Sequence, residues 1–310
     1  MAIYLITGMS GGLSQLVGEK MRALGHEVVG VDYRPFTRVR PVDFPFYQAS
    51  YNKTLIEDVF RRHAFDGVLH LGRVGNLKET VQKRFDLNVM GSRKVMDLCL
   101  KYHVKRLLVL STFHIYGAHP YNHIPIHEDE PLRAGQTFPQ LADAVQLDNQ
   151  SLTWIYQHRG VRTVMLRPCN VVGPNLQNAM SKFLRLKTVP YLLGFNPMLQ
   201  FIHELDLRDA IVIAALGAPT GVFNLTGTGA LPYRHALELV GARQIPVTES
   251  LAGAYLRIAG LFGPTFPPYL VDFFKYPCII SDEAFRKAFD WTPEISIEES
   301  LRGTLAQPSP

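Results

Sequence analysis

Residues 3–12 read Ile-Tyr-Leu-Ile-Thr-Gly-Met-Ser-Gly-Gly, an apolar run that breaks into a glycine-rich turn. An amphipathic stretch over 12–24 follows and ends at Gly25. The pattern predicts a buried strand, a tight turn and a helix. Gly8 permits the sharp turn and Gly11 lets a ligand approach the backbone, so free N–H groups at the helix start would face a pyrophosphate. The alternative is a strand-to-helix turn that binds nothing.

A carboxylate follows at the distance that dinucleotide sites use. Residues 27–32 (EVVGVD) predict a second strand ending in Asp32, about twenty residues after the turn. Asp32 can accept hydrogen bonds from the ribose hydroxyls of NAD and would repel a 2′-phosphate. Arg34 weakens that preference, because its charge offsets the carboxylate. NAD is therefore the predicted cofactor.

Short apolar runs alternate with longer amphipathic runs through the first half of the chain. Strands are predicted at 3–7, 27–32, 67–71, 106–111 and 162–167, and helices at 12–24, 54–63, 78–102 and 140–158. This spacing indicates βαβ units and an α/β fold with a doubly wound parallel sheet, the Rossmann arrangement.

The alternation of apolar and amphipathic runs is less regular after residue 174. Helices are predicted at 179–187 and 209–216, and strands at 201–202 and 221–225. We expect a Rossmann domain over 1–174 and 200–229, and a smaller C-terminal substrate lobe over 175–199 and 230–310. The apolar stretch 251–276 is either the core of that lobe, an apolar substrate wall or a membrane-surface patch.

Composition narrows the class of protein. The 310 residues are 47% hydrophobic and 19% charged, which excludes disorder for most of the length. No apolar run is long enough to cross a membrane, and the first one is too short for a secretory signal. Three widely separated cysteines predict neither a disulfide framework nor a metal site, so a reducing cytoplasm is expected. The net charge of +5 is scattered, which argues against nucleic-acid binding.

Nine motifs occur in a recognisable order. They are Thr7–Ser14 (TGxxGxxG, with Ser14 for the third glycine), His70–Arg73 (HLAA), Asn88–Ser92 (NVxGT), Ser111–Gly117 (SSxxVYG), Glu128–Pro131 (EDxP), Leu166–Pro174 (LRPxNVYGP), Phe201–Leu207 (FIHVDDV), Asn224–Gly229 (NVGxG) and Phe289–Pro293 (LGWxP). Together they resemble the extended short-chain dehydrogenases/reductases of the NAD-dependent epimerase/dehydratase family, over nearly the whole chain.

The resemblance implies functional residues at matching positions. The implied cofactor contacts are Gly8, Ser10, Gly11, Gly12, Leu13, Asp32, Arg34, Leu71, Gly72, Arg73, Asn88, Ser111 and Pro168. His114 and Asn170 fall at substrate positions, and Thr112 takes the place of the catalytic Ser/Thr that orients the substrate. A strand-end cap is the alternative for Thr112, and an exposed surface histidine is the alternative for His114.

The catalytic pair of the family is missing. Gln140 stands where the family has its general acid/base tyrosine, and Ala144 where it has the lysine that lowers the phenol pKa. Asp143 is a candidate substitute base, although a solvated helix face explains it as well. Leu199 replaces an arginine that grips the diphosphate of nucleotide sugars, and Ser50 replaces an aspartate near the adenine.

Three functions therefore remain open. The first is an atypical oxidoreductase or epimerase-like activity on an apolar or non-standard small molecule. The second is a dinucleotide-binding scaffold or sensor without turnover, and the third is a nucleotide-sugar epimerase with a substitute base. A homodimer is also expected, because 78–102 and 140–158 carry apolar residues on more than one face, unless the monomer covers them.

Overall fold

A computed structural model of the chain describes residues 1–37, 44–73, 75, 79–251 and 270–306. The strands are β1 (Ile3–Thr7), β2 (Glu27–Asp32), β3 (Phe46–Gln48), β4 (Gly67–His70), β5 (Arg106–Leu110), β6 (Arg162–Pro168), β7 (Asn170–Val172), β8 (Thr188–Leu192), β9 (Met198–Leu199), β10 (Phe201–His203), β11 (Gly221–Leu225), β12 (Leu231–Pro232) and β13 (Arg243–Val247). The α-helices are α1 (Gly12–Ala23), α2 (Leu55–Arg62), α3 (Val81–Phe85), α4 (Ser92–Lys101), α5 (Ala134–Thr137), α6 (Ala142–Gln157), α7 (Ala179–Leu184), α8 (Glu204–Leu216), α9 (Tyr233–Leu239), α10 (Leu270–Phe273), α11 (Glu283–Phe289) and α12 (Ile297–Gly303).

Seven parallel strands form the central sheet in the order β11-β6-β5-β4-β1-β2-β3. The order reverses between β1 and β4, and a doubly wound sheet opens its ligand crevice at such a point. Alternate residues face two apolar clusters, with Ile6 and Leu69 on one side and Leu5 and Val68 on the other. The predicted α/β class and parallel sheet are confirmed.

Several elements differ from the sequence prediction. Helix α8 begins at Glu204 rather than at residue 209, because Nδ1 of His203 caps it by accepting the Leu205 N–H at 3.2 Å. The strand at 201–202 pairs with β7 outside the main sheet. Most of the apolar stretch 251–276 lies outside the described residues, and so does the predicted helix start at 78.

The predicted helix over 78–102 is not continuous. A π-helical turn, Asp86–Gly91, separates α3 from α4, and Asn88 lies within it. Such turns occur mostly as single insertions at functional sites, because they aim a side chain away from the regular helical face. Among the described residues, no helix has the length and apolar character needed to span a membrane.

A buried ion pair anchors the end of β6 to α6. The Arg167 guanidinium donates to both carboxylate oxygens of Asp148, at 2.6 and 3.0 Å, and Ser111 Oγ donates to Asp148 at 2.6 Å. Arg167 also donates to the Tyr116 hydroxyl at 2.7 Å. Removing one partner of such a pair costs several kcal/mol, so the pair holds the end of β6 against α6, and Ser111 attaches the segment after β5 to it.

A second chain of hydrogen bonds ties β1 to β4. Gly72 N–H donates to Thr7 Oγ1 at 3.0 Å, and Thr7 Oγ1 lies 2.9 Å from His70 Nδ1. His70 Nε2 lies 2.7 Å from Ser92 Oγ, which donates to the Asn88 carbonyl. The Ser92 hydroxyl donates its proton to the Asn88 carbonyl, so it can only accept a hydrogen bond from His70. His70 therefore carries its proton on Nε2, and its Nδ1 accepts from the Thr7 hydroxyl. Burial lowers the pKa of His70 to about 4, so the ring is neutral at pH 7.

We predict that His70 makes the fold acid-sensitive. The pKa of His70 is 6.5 in the unfolded chain and about 4 in the folded protein. Between these two pH values the ring is protonated in the unfolded chain and neutral in the folded protein. The free energy of unfolding should therefore fall with falling pH, by up to about 1.4 kcal/mol per pH unit from this group. Urea unfolding at several pH values should show a shallower pH dependence in His70→Asn. The exposed His127→Asn should behave like the wild type, and equal slopes in all three proteins would refute the assignment.

Candidate functional site

The glycine turn lies at the reversal point of the sheet. Gly8 has φ +74°, and a Cβ there would lie 2.6 Å from the Gly72 Cα, so the two loops meet backbone to backbone. Gly11 N–H donates to the Gly8 carbonyl at 2.8 Å and closes the turn. Ser14, in place of the third glycine, is accommodated because its Oγ donates to the Thr7 carbonyl at 3.4 Å.

The start of α1 suits a phosphate. Gly11 is the N-cap, no side chain among the described residues caps the helix, and its first turn has no acidic residue. The first N–H groups of a helix and its dipole attract anions when nothing else satisfies them. The turn that contains Gly11, Gly12 and Leu13 therefore fits the pyrophosphate of a dinucleotide.

Asp32 lies directly beside this turn. The carboxylate is wholly buried and accepts the Ser10 N–H at 3.1 Å. Arg34 covers it, with its own N–H and its Nη2 each 3.0 Å from a carboxylate oxygen. The structure thus brings together Ser10, Asp32 and Arg34, and the half-exposed Arg34 pairs with the buried carboxylate.

A cavity of about 390 Å³ opens next to these residues. Its walls include Tyr33, Ser50, Asn52, Lys53 and Leu87. The space lies at the carboxyl ends of β2 and β3 and has both polar and basic groups. It is large enough for an adenine ring, and Ser50 is part of its lining.

The side chain of Asp143 does not lie on a solvated helix face. It is buried, and its Oδ2 accepts from Asn88 Nδ2 at 2.5 Å. The buried Arg84 lies 3.8 Å from its other oxygen and donates to the Gln140 carbonyl at 2.9 Å. The solvated interpretation of Asp143 is therefore wrong, because the π-helical turn aims Asn88 at this carboxylate. Ala144 is also buried.

Thr112 and His114 form a pair just beyond β5. Thr112 Oγ1 lies 2.8 Å from His114 Nδ1 and also accepts the His114 N–H at 3.4 Å, so Thr112 does cap a turn. The imidazole packs against Phe113 and Phe273, with ring centroids 4.3 and 4.9 Å apart. Burial, helped by the charge of Arg73, lowers the pKa of His114 to about 3. The exposed interpretation of His114 is therefore wrong.

The remaining predicted residues have mixed surroundings. Leu71 is buried beside the glycine turn, and Pro168 ends β6. Asn170 Nδ2 donates to the Gln200 carbonyl at 3.0 Å, and Ser111 binds Asp148, so both already have protein partners. Leu199 is buried, which leaves that position apolar.

Sequence reasoning missed three residues of this region. Arg84 lies beside Asp143 and Phe273 beside His114, although each is distant in sequence from its neighbour and belongs to no motif. Tyr51 lies under the glycine turn, with its hydroxyl 2.9 Å from the Gly8 N–H. The only sequence signal for Tyr51 is its place next to Ser50, at the adenine position.

The chain can be compared with known proteins on this basis. A model of the NAD dependent epimerase/dehydratase family matches residues 4–230. A UDP-glucuronate 4-epimerase of Thermodesulfobacterium geofontis is 26% identical over 326 residues, covering 98% of this chain and 95% of that protein. An uncharacterized protein of Mycobacterium tuberculosis is 27% identical over 207 residues, and the match spans only 54% of its length.

Solved structures share the fold. The Thermus thermophilus UDP-glucose 4-epimerase, in complex with NAD, has a TM-score of 0.78 at 20% identity and covers 98% of this chain and 97% of that one. Pal from Bacillus thuringiensis has a TM-score of 0.79 at 19% identity, covering 98% and 97%. NAD, the cofactor predicted from the turn and Asp32, agrees with the family match. By its sequence and fold, this chain belongs to the NAD-dependent epimerase/dehydratase family.

Proposed function

We propose that the protein is an atypical oxidoreductase or epimerase-like enzyme that binds NAD and acts on a partly apolar, non-standard small molecule. The observation that carries this proposal is the Thr112–His114 pair, held 2.8 Å apart at the end of β5. Ligands of open α/β sheets bind at this edge. The pair gives the site a hydroxyl and a neutral imidazole in place of the missing tyrosine and lysine.

The cofactor half of the site supports NAD. The turn of Gly8, Gly11 and Gly12 would hold the pyrophosphate, and Asp32 would accept from the ribose once the half-exposed Arg34 turns away. Asn88, Leu71 and Gly72 would line the path toward β5. When bound, NAD supplies a hydride acceptor, and this chain has to supply substrate binding and proton transfer.

The substrate half supports an apolar ligand. Phe113 and Phe273 frame His114, and Leu199 is buried where a diphosphate-gripping arginine is absent. A diphosphate would lose a charge-assisted contact worth about 1.5–3 kcal/mol. Thr112 would orient a hydroxyl or carbonyl of the substrate beside His114. Nucleotide sugars are therefore poorer candidates than an apolar alcohol or ketone.

Binding of NAD without turnover is the second candidate. It is favoured because the Asp143 carboxylate is committed to Asn88 and Arg84, and this leaves it poorly placed as a free base. A nucleotide-sugar epimerase is the third candidate. It draws support from the UDP-glucuronate 4-epimerase that aligns with 98% of the chain.

The division into a Rossmann domain and a C-terminal substrate lobe, at the boundaries given above, is part of this proposal. So is a cytoplasmic location, which the free, buried thiols of Cys99, Cys169 and Cys278 support.

We expect the purified protein to bind NAD more tightly than NADP in titration calorimetry. Asp32→Ala should weaken NAD binding by about tenfold or more, because a charge-assisted hydrogen bond is lost, and should relax the bias against NADP. Asp97→Ala, which removes an exposed carboxylate paired with Arg93, is the matched control and should change neither constant. No heat with either dinucleotide, after removal of endogenous ligand, would refute cofactor binding.

We also expect negligible epimerisation of UDP-glucose or UDP-glucuronate. Loss of the general acid/base costs about a hundredfold to ten-thousandfold in rate, and neither Gln140 nor Ala144 can replace it. Product formation followed by chromatography tests this. Rapid turnover that is abolished by Thr112→Ala would show that another residue moves the proton, and the third candidate function would then hold.

Part of the predicted apolar surface is covered within the monomer. Val89, Val95 and Leu98 are buried. Val81 and Tyr156, on α3 and α6, are 69% and 67% exposed. We therefore propose a homodimer through the exposed part of this α3–α6 face, which also includes Phe85.

Light scattering behind a sizing column should give about twice 34.9 kDa. Phe85→Glu should split the dimer, because a charge buried in an apolar interface is unfavourable. Leu24→Glu, which alters an exposed leucine at the end of α1, should leave the mass unchanged. A monomer at micromolar concentration would refute the proposal.

A further inference from the structure

Tyr51 lies directly beneath the glycine turn. The residue is only 1% exposed, and its hydroxyl oxygen accepts the Gly8 N–H at 2.9 Å. Its ring meets His70 edge to face, with centroids 5.6 Å apart. His70 belongs to the hydrogen-bonded chain that joins β1 to β4, so Tyr51 contacts both sides of the sheet reversal.

The space for the Tyr51 side chain depends on two glycines. A Cβ on Gly72 would lie 3.0 Å from the Tyr51 Cζ and closer still to the hydroxyl oxygen. A Cβ on Gly91 would lie 2.9 Å from the Tyr51 Cβ. Cβ atoms in protein structures do not come this close to other heavy atoms, so a side chain at either position would have to displace its neighbours. Position 72 corresponds to an alanine in the HLAA motif, and the Tyr51 hydroxyl, together with the Gly8 nitrogen at 2.9 Å, accounts for the glycine found here.

Gly8 needs such an anchor. In the unfolded chain a glycine adopts many backbone conformations, and the folded Gly8 has a φ of +74°. Fixing a glycine in one conformation costs more backbone entropy than fixing any other residue. A hydrogen bond to its N–H selects one conformation and so fixes the directions of the amides at the start of α1. The Tyr51 hydroxyl stays protonated, because burial raises its pKa well above the usual range.

We propose that Tyr51 is a positioning residue for the dinucleotide turn, and that it acts on the bound cofactor through Gly8. The proposal rests on the NAD binding proposed above. It assigns Tyr51 and Gly72 to one adapted unit, in which the glycine makes room for the hydroxyl that holds the turn. Tyr51 itself is not expected to touch the reacting atoms.

Tyr51→Phe tests the proposal, because the variant keeps the ring and removes only the hydroxyl. Calorimetry should show dissociation constants for NAD and ADP that are raised together by about tenfold, the effect of one lost hydrogen bond in a buried site. Tyr47→Phe is the matched control. Tyr47 lies on strand β3, and its hydroxyl is 3.0 Å from the Nε2 atom of His63, away from the turn. Tyr47→Phe should bind both ligands like the wild type.

A purely structural role would give a different result. If Tyr51→Phe melts at a lower temperature but binds NAD and ADP within twofold of the wild type, the positioning role is overturned and the proposed NAD binding stands. If the wild type itself binds neither ligand, both proposals fail.

Gly72→Ala provides a second, independent variant. Its new Cβ should press on the Tyr51 hydroxyl and weaken NAD binding, and the added loss should be smaller in a Tyr51→Phe background. Gly75→Ala is the control for adding a methyl group to this loop, since the nearest atom to its Cβ would be 3.9 Å away. Equal losses from Gly72→Ala in both backgrounds would overturn the adapted unit.

Discussion

The close approach of two backbone segments, at Gly8 and Gly72, is the constraint on which the rest of the site depends. Strands β1 and β4 lie side by side where the sheet order reverses, and in this chain their following loops meet at two glycines, with no side chain between the backbones. The hydrogen bonds of Thr7 and His70 hold the strand ends in that relation. The crevice, the free start of α1 and the place of Asp32 all follow from this contact.

The missing catalytic pair has not left a void. Around α6, the chain has a buried polar seam of Arg84, Asn88 and Asp143, next to the buried Ala144. A buried carboxylate is tolerated only when it is paired and hydrogen-bonded, and here it has both a cation and an amide. The corner is therefore a packed arrangement of the residues that are present. In the proposed function, proton transfer is assigned instead to Thr112 and His114, beyond β5.

Sequence reasoning found what is encoded locally. The central strands are continuous apolar runs because both faces of the sheet are buried, and the glycine turn with Asp32 is a short motif. The short strands β3 and β13 were missed, because they contain no buried residue and carry no such pattern, and β8 was missed because only two of its five residues are buried. The early start of α8 depends on the tautomer and position of His203, and the burial of Asp143 and His114 depends on Asn88 and Phe273, which distant elements supply.

The proposed cofactor site and the proposed substrate site lie on different elements of the fold. The proposed dinucleotide contacts include residues of β1, β2, β4 and α1, where His70 binds Thr7 and Tyr51 binds Gly8. Thr112 and His114 follow β5, where Ser111 binds the Asp148–Arg167 pair and Phe273 packs against His114. Hydrogen bonds join the two regions, because His70 contacts Ser92, Ser92 donates to the Asn88 carbonyl, and the Asn88 amide donates to Asp143 on α6. Gln140 meets this chain through its backbone carbonyl, which accepts from Arg84, and Ala144 has no polar side chain, so a change of either side chain need not disturb it. The geometry of the glycine turn and of Asp32 therefore does not depend on a tyrosine at 140 or a lysine at 144.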